Sequence, residues 1–273
     1  MRTLDPCTYE HPMDRMALGA LKKIPMLDKV ASWVINFIQK TDYMVDRRGN
    51  DIEVNEKLAP RVYRLKKLAE ERLCMEHDIP MFITLDWNYN AFASGVDNPI
   101  IVLNSSIVED FTDDELLSII GHEMGHIKSQ HMLYHWMANN IAQWMFNCGL
   151  IGGATLMGIV VALKEWQRKS ELTADRAGYI ACDNLDAVLS AELKLMGRPN
   201  PILAPNDCNF SVEEILGQLD DYEKVKMDSL YTKFIYAYIT CNMTHPWSVE
   251  RMKEIMSWEK KVVYNESLID LKN

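Results

Sequence analysis

The chain has 273 residues, 48% apolar and 25% charged, the balance of a globular protein with material for one large domain or two small ones. Its formal net charge of -10 excludes the broad cationic surface that nucleic-acid binding requires, so Arg47-Arg48 and Lys66-Lys67 read as solvated turn and helix-face charges. Cysteines at 7, 74, 148, 182, 208 and 241 lie far apart with no CxxC pair, which suits free thiols. The N-terminus carries no signal-type apolar stretch, so cytoplasmic residence is the expectation.

No repeat, low-complexity tract or Gly/Ser/Pro-rich linker divides the chain. One domain over residues 1–273 is expected, with an N-terminal helical extension over about residues 1–57. Spaced apolar positions in residues 16–40, interrupted at Pro25, predict two helices. "YMVDRRGNDIEV" (43–54) predicts a β-hairpin turning at Gly49-Asn50, and residues 59–75 an amphipathic helix. "MFITL" (81–85), "NAFAS" (90–94) and "IIVLN" (100–104) predict strands, the last two a hairpin through Gly95, Asp97, Asn98 and Pro99. A helix then opens at "FTDDELLSIIGHEMGHI", with Thr112 and Glu115 as a capping box and Asp113 and Asp114 at the positive end of its dipole. The rest reads as helical, with Ser211 and Glu214 as a second capping box. The fold class is α+β, mostly helical, with a small sheet.

"GHEMGH" (121–126) puts His122 and His126 at i and i+4, on one helix face, where two neutral imidazoles can share a metal ion. Zinc suits them, and Glu123 is placed to act as base on a water at the ion. A catalytic zinc needs a third protein ligand and an open position. His131 lies five residues after His126 and, on a continuing helix, is rotated about 140° away. Glu171 of "SELTAD" (170–175) is the better candidate, with Asp175 one turn on to accept a hydrogen bond from a ligand imidazole. Gly121 and Gly125 in one stretch of helix imply that another backbone comes close, with "IIVLN" as one neighbour. A substrate peptide can pair with an exposed strand edge near the metal, "NAFAS" or "IIVLN".

"NAFA", "DELLSIIGHEMGHI", "ELTAD" and "THPWSVER", in that order over roughly residues 60–258, resemble the HtpX/CAAX-protease-like zinc metallopeptidases, peptidase family M48. The resemblance implies a zincin-like (gluzincin) domain in a soluble, bacterial-type member, with the sheet beside the active-site helix. It implies one Zn2+ per chain on His122, His126 and Glu171, with Glu123 as general base. It also implies transition-state roles for His245 and Arg251. Without it, His245 reads as an N-cap before Pro246, and Arg251 as a surface ion pair.

"CGLIGGATLMGIVVAL" (148–163) carries no charge, and extended back to Ile141 it reaches membrane-spanning length. It lies between His126 and Glu171, which must meet at one ion, so a single span is excluded. The polar stripe His131, His135, Asn139, Gln143 and Asn147 predicts an amphipathic helix and hence a helical hairpin over residues 132–163. Its apolar side would pack on the domain, on a second copy as a homodimer, or on a membrane surface, with membrane association through residues 141–163 as the alternative location.

The expected function is a zinc metalloendopeptidase acting on peptide or unfolded-protein substrates. The alternative is a catalytically silent zinc-containing binding or scaffold module. Cys7 and His11 also raise latency, an N-terminal arm filling the open metal position.

Overall fold

The computed structural model describes residues 4–23, 43–96, 98–147, 154–197, 214–215, 217 and 248–264. After a 3-10 turn at Pro6–Thr8, α1 runs Pro12–Leu21, capped where His11 Nδ1 accepts the N–H of Met13 at 3.1 Å. The second helix expected before residue 40 lies outside the described residues. The expected hairpin at 43–54 is not formed: Tyr43–Asn50 is a helix, α2, and only Ile52–Glu53 is extended, as β1. Gly49-Asn50 ends a helix here, with Arg47 paired to Asp51 at 2.9 Å, because the same residues that turn a hairpin also terminate helices.

Helix α3 (Pro60–Arg72) leads to β2 (Met81–Thr84), β3 (Ala91–Ser94) and β4 (Ile100–Asn104), then the short α4 (Ser105–Asp110). The sheet order is β1-β2-β4-β3, with β2 parallel to β4 (Met81 opposite Ile101) and the other pairs antiparallel. The β3–β4 hairpin expected from Gly95 and Pro99 is present, and Gly95 takes the positive φ of +90° that favours glycine. Buried β4, paired on both sides, cannot offer an edge, whereas β3 can.

Helix α5 (Asp113–Lys128) begins at the expected capping box: the Thr112 hydroxyl accepts the Glu115 N–H, and the Glu115 carboxylate accepts that of Thr112. Helices α6 (Met132–Asn147), α7 (Ala154–Cys182) and α8 (Leu185–Met196) follow, and α9 (Ser248–Tyr264) closes the described chain. The fold is thus mostly helical with a small mixed sheet. The expected helical hairpin is α6 with the first part of α7, while its tip and Ser211 of the second capping box lie outside the described residues. Among the described residues, no helix is long and apolar enough to cross a membrane. Cys7, Cys74 and Cys182 are free thiols.

The main apolar cluster joins α3, the sheet, α5, α7, α8 and α9. A smaller one, of Leu21, Met137, Ala138, Leu163 and Trp166, sits where α1 meets the α6–α7 hairpin. Met137 and Ala138 of α6 therefore face inward, against α1 and α7.

Candidate metal centre and its cleft

Helix α5 can meet α7 closely because the contact is made of the smallest side chains. A Cβ on Gly121 would collide with Ala181 Cβ and sit 3.1 Å from Gly178 Cα, and one on Gly125 would lie 2.5 Å from Ala177 Cβ. A Cβ on Gly178 would in turn lie 2.7 Å from Ser118 O. The close backbone implied by Gly121 and Gly125 is thus α7, not "IIVLN": two helices shed side chains to approach. That approach sets the faces bearing His122 and His126 against the one bearing Glu171 and Asp175.

His122 Nε2 and His126 Nε2 are 3.1 Å apart, and the Glu171 carboxylate is 3.3 Å from the first and 3.5 Å from the second. All three side chains are buried, with exposures of 9%, 5% and 1%. Burial opposes charge on both rings. At His122, Asp175 and Glu171 overcome it and raise the pKa to about 10, whereas burial prevails at His126 and lowers it to about 4.

Asp175 Oδ1 lies 3.0 Å from His122 Nδ1, so that nitrogen is the donor to Asp175 and Nε2 faces the centre, where a metal ion would take the place of its proton. Asp175 is gripped by Arg251: Nε donates to Oδ2 at 2.9 Å, and Nη2 to Oδ1. Arg251 Nη2 is also 3.0 Å from Glu192 Oε1. The expected surface ion pair is therefore wrong: Arg251 is 7% exposed, beneath the site, because α9 carries it onto α7 and α8. His245 lies outside the described residues.

A metal ion fits this group on its chemistry. Two imidazole nitrogens and a carboxylate are a donor set for a divalent cation. Of the buried carboxyl groups here, Asp175 and Glu192 are paired with Arg251 and Glu123 with a backbone N–H, so Glu171 brings to the two imidazoles a negative charge that a dication would balance. The Glu192 carboxyl is itself pushed up by burial, and among the described residues its Oε2 has no hydrogen-bond partner.

Glu123 faces the sheet, its Oε2 accepting the N–H of Ala93 at 2.8 Å. Burial first, and Glu171 with it, pushes the Glu123 carboxyl up. On β3, Asn90 O accepts from Asn104 N on the β4 side, so the pleat turns the backbone of Ala91 and Ala93 to the open edge. A cleft of about 350 Å³ runs between this edge and Met132, Trp136 and Asn139 of α6, with Glu123, His126 and Glu171 beneath it.

His131 is the residue that sequence reasoning misplaced. Helix α5 stops at Lys128, Gln130 takes a left-handed φ of 57°, and His131 N donates to His126 O at 3.0 Å. The chain doubles back, and His131 Nδ1 comes within 3.0 Å of His126 Nδ1. The N-terminal arm does not fill the open metal position, as latency would require. His11 N donates to Thr173 Oγ1 at 3.0 Å and its Nε2 lies 3.4 Å from Glu254, while Cys7 is exposed, so neither fills the cleft.

The sequence matches the family model for Peptidase family M48 over residues 64–259. It is 25% identical over 269 residues to the plastoglobule-localized metallopeptidase 48, chloroplastic, of Arabidopsis thaliana, covering 98% of this chain and 76% of that protein. It is 30% identical over 129 residues to a protease HtpX homolog of Streptococcus pyogenes, covering 45% of this chain and 42% of that one. The crystal structure of S. mikatae Ste24p aligns with 89% of this chain and 61% of its own at TM-score 0.46 and 14% identity, too distant a likeness to bear on fold or function.

Proposed function

The chain belongs to peptidase family M48, and from that premise we propose a zinc-dependent endopeptidase in which His122, His126 and Glu171 hold one zinc and Glu123 is the general base. The observation that carries this reading is the convergence of those three side chains within 3.5 Å, beside a cleft that Glu123 also lines. When bound, zinc supplies Lewis acidity toward a water and a peptide carbonyl.

A substrate strand pairs with the open edge of β3, through the outward backbone groups of Ala91 and the carbonyl of Ala93, whose N–H is held by Glu123, and so lies along the cleft. Glu123, its basicity raised by burial, takes the proton of the attacking water and passes it to the leaving amine. Asp175 holds His122 in the tautomer that frees Nε2, and Arg251 acts through Asp175. His245 supplies the hydrogen bond to the developing oxyanion, a role resting on the resemblance of "THPWSVER" alone. The substrate class is peptides or unfolded proteins, and the α6–α7 hairpin is the surface for a second copy or a membrane face.

Metal analysis of the full chain with a denatured protein as substrate tests the reading. One zinc per chain is expected, with cleavage abolished by a chelator and restored by added zinc. Bound zinc with no cleavage would favour a zinc-containing scaffold, a role in which Glu123 has no work as a base.

A further inference from the structure

The two histidines of the metal centre are held from behind by different devices. At His122 the carboxylate of Asp175 meets Nδ1 directly. At His126 the atom facing Nδ1 is another imidazole nitrogen, His131 Nδ1 at 3.0 Å. His131 Nε2 in turn lies 3.1 Å from Asp14 Oδ2, on the N-terminal arm. Asp14 is 0% exposed and His131 1%, inside the seam between α1 and α7.

The protons along this chain can be assigned from its far end. Trp166 Nε1 donates to Asp14 Oδ1 at 2.9 Å, and Thr173 Oγ1 donates to Oδ2 at 2.6 Å. An ionised carboxylate only accepts, so the proton between Asp14 and His131 belongs to His131 Nε2. The contact is close but its angle is steeper than that of a well-formed hydrogen bond. With its proton on Nε2, His131 accepts at Nδ1, and His126 Nδ1 is the N–H that points to it. That leaves the His126 Nε2 lone pair turned toward His122 and Glu171.

We propose that Asp14 is a positioning residue for the metal centre: through His131 it fixes His126 in the tautomer and orientation that bind the ion. The proposal rests on the reading of His126 as a metal ligand. It makes the N-terminal arm part of the site's construction rather than its inhibitor. It also leaves His131 Nδ1 unable to serve, with His126 and His135, as a ligand to a second ion, although the three rings cluster there.

The test is zinc transfer from the full-length loaded protein to a chromophoric chelator, with the cobalt-substituted absorption spectrum as a second readout. In Asp14→Asn, Trp166 keeps the amide oxygen, so the amide N–H turns to His131 Nε2. His131 then presents an N–H to the N–H of His126. Zinc affinity should fall about 10–100-fold and the cobalt bands should shift. His131→Gln keeps an acceptor for His126 and should stay within about threefold of the parent, whereas His131→Leu should lose about 10–100-fold.

Adding Asp14→Asn to His131→Gln should then cost little more. Trp166→Phe, which removes a different Asp14 partner, should lower the melting temperature with zinc affinity nearly kept. The proposal is overturned if Asp14→Asn binds zinc like the parent, if it weakens binding equally in both backgrounds, or if His131→Leu and His131→Gln bind alike. A second zinc on His131 would overturn it too. A parent chain that binds no zinc would instead defeat the metal reading itself.

Discussion

Helix α5 has two flanks built on opposite principles. Toward α7 it offers Gly121 and Gly125 to Ala177, Gly178 and Ala181, and the backbones nearly touch. Toward β3 it offers Glu123, whose carboxylate reaches the edge strand beside a cleft large enough for a peptide segment. The first flank has no slack, so the distances among His122, His126 and Glu171 are set by helix packing. The second keeps space beside a strand edge left open among the described residues, at some expense of stability, where the proposed substrate would enter. On the proposed reading, ligand geometry and substrate access are thereby separated on one helix, and substitutions on the two flanks should separate stability from turnover.

The largest expected effect lies on the cleft flank and on turnover alone. Glu123→Gln keeps an acceptor for Ala93 and removes a buried charge, so the melting temperature should be unchanged or higher. Cleavage should fall about 10²–10⁴-fold, the usual contribution of a general base. A Glu123→Gln protein that melts well below the parent would break the comparison. Next in size is Arg251→Met, behind the sealed flank. It leaves Asp175 and Glu192 buried without their guanidinium and should cost about 3–5 kcal/mol in urea unfolding. Full stability with lost turnover would instead mean that Arg251 touches substrate.

The sealed flank also shows where sequence reasoning reaches and where it stops. The capping box of α5, the His122–His126 pair and the Glu171–Asp175 pair are helix-periodic features only a few residues long, and each was legible. Gly121 and Gly125 announced a close neighbour, but its identity needed the matching small residues at 174, 177, 178 and 181, a spacing visible in the sequence once a helix partner is sought. His131 was misjudged because a single left-handed residue, Gln130, redirects everything after it. Asp14 could not have been found: it meets Thr173 across 159 positions with no local pattern to mark it. Arg251 carries no sign of its burial for the same reason, since α9 buries it through contacts far apart in sequence.

A smaller test of the seam compares two glycines. Gly121→Ala gains about 1 kcal/mol of helix propensity but drives a Cβ into Ala181, so a net loss of about 1–3 kcal/mol is expected. Gly19→Ala, in α1 with nothing from other described elements within 4 Å of the new Cβ, should gain up to about 1 kcal/mol. Equal signs in chemical denaturation would mean that α5 and α7 have room to spare.

The smallest effect concerns the start of α5, where Glu115 joins the sealed flank to α8. Its carboxylate accepts from Thr112 N at 2.7 Å, from Ser190 Oγ at 2.6 Å and from Lys194 Nζ at 2.7 Å. Burial alone would raise this carboxyl, but the bonds from Lys194, Ser190 and Thr112 outweigh it and hold its pKa below the ordinary value of 4.5. A carboxyl depressed in the folded state stabilises above its unfolded pKa and loses that contribution as pH falls through the folded one. Glu115 should therefore contribute fully at pH 7 and progressively less below about pH 4.5. Glu115→Gln should cost about 1 kcal/mol at pH 7, and the gap to the parent should narrow as pH falls toward 3. A gap that stayed constant from pH 7 to pH 3 would mean that the capping geometry, not the charge shared with Lys194, holds this end of α5 to α8.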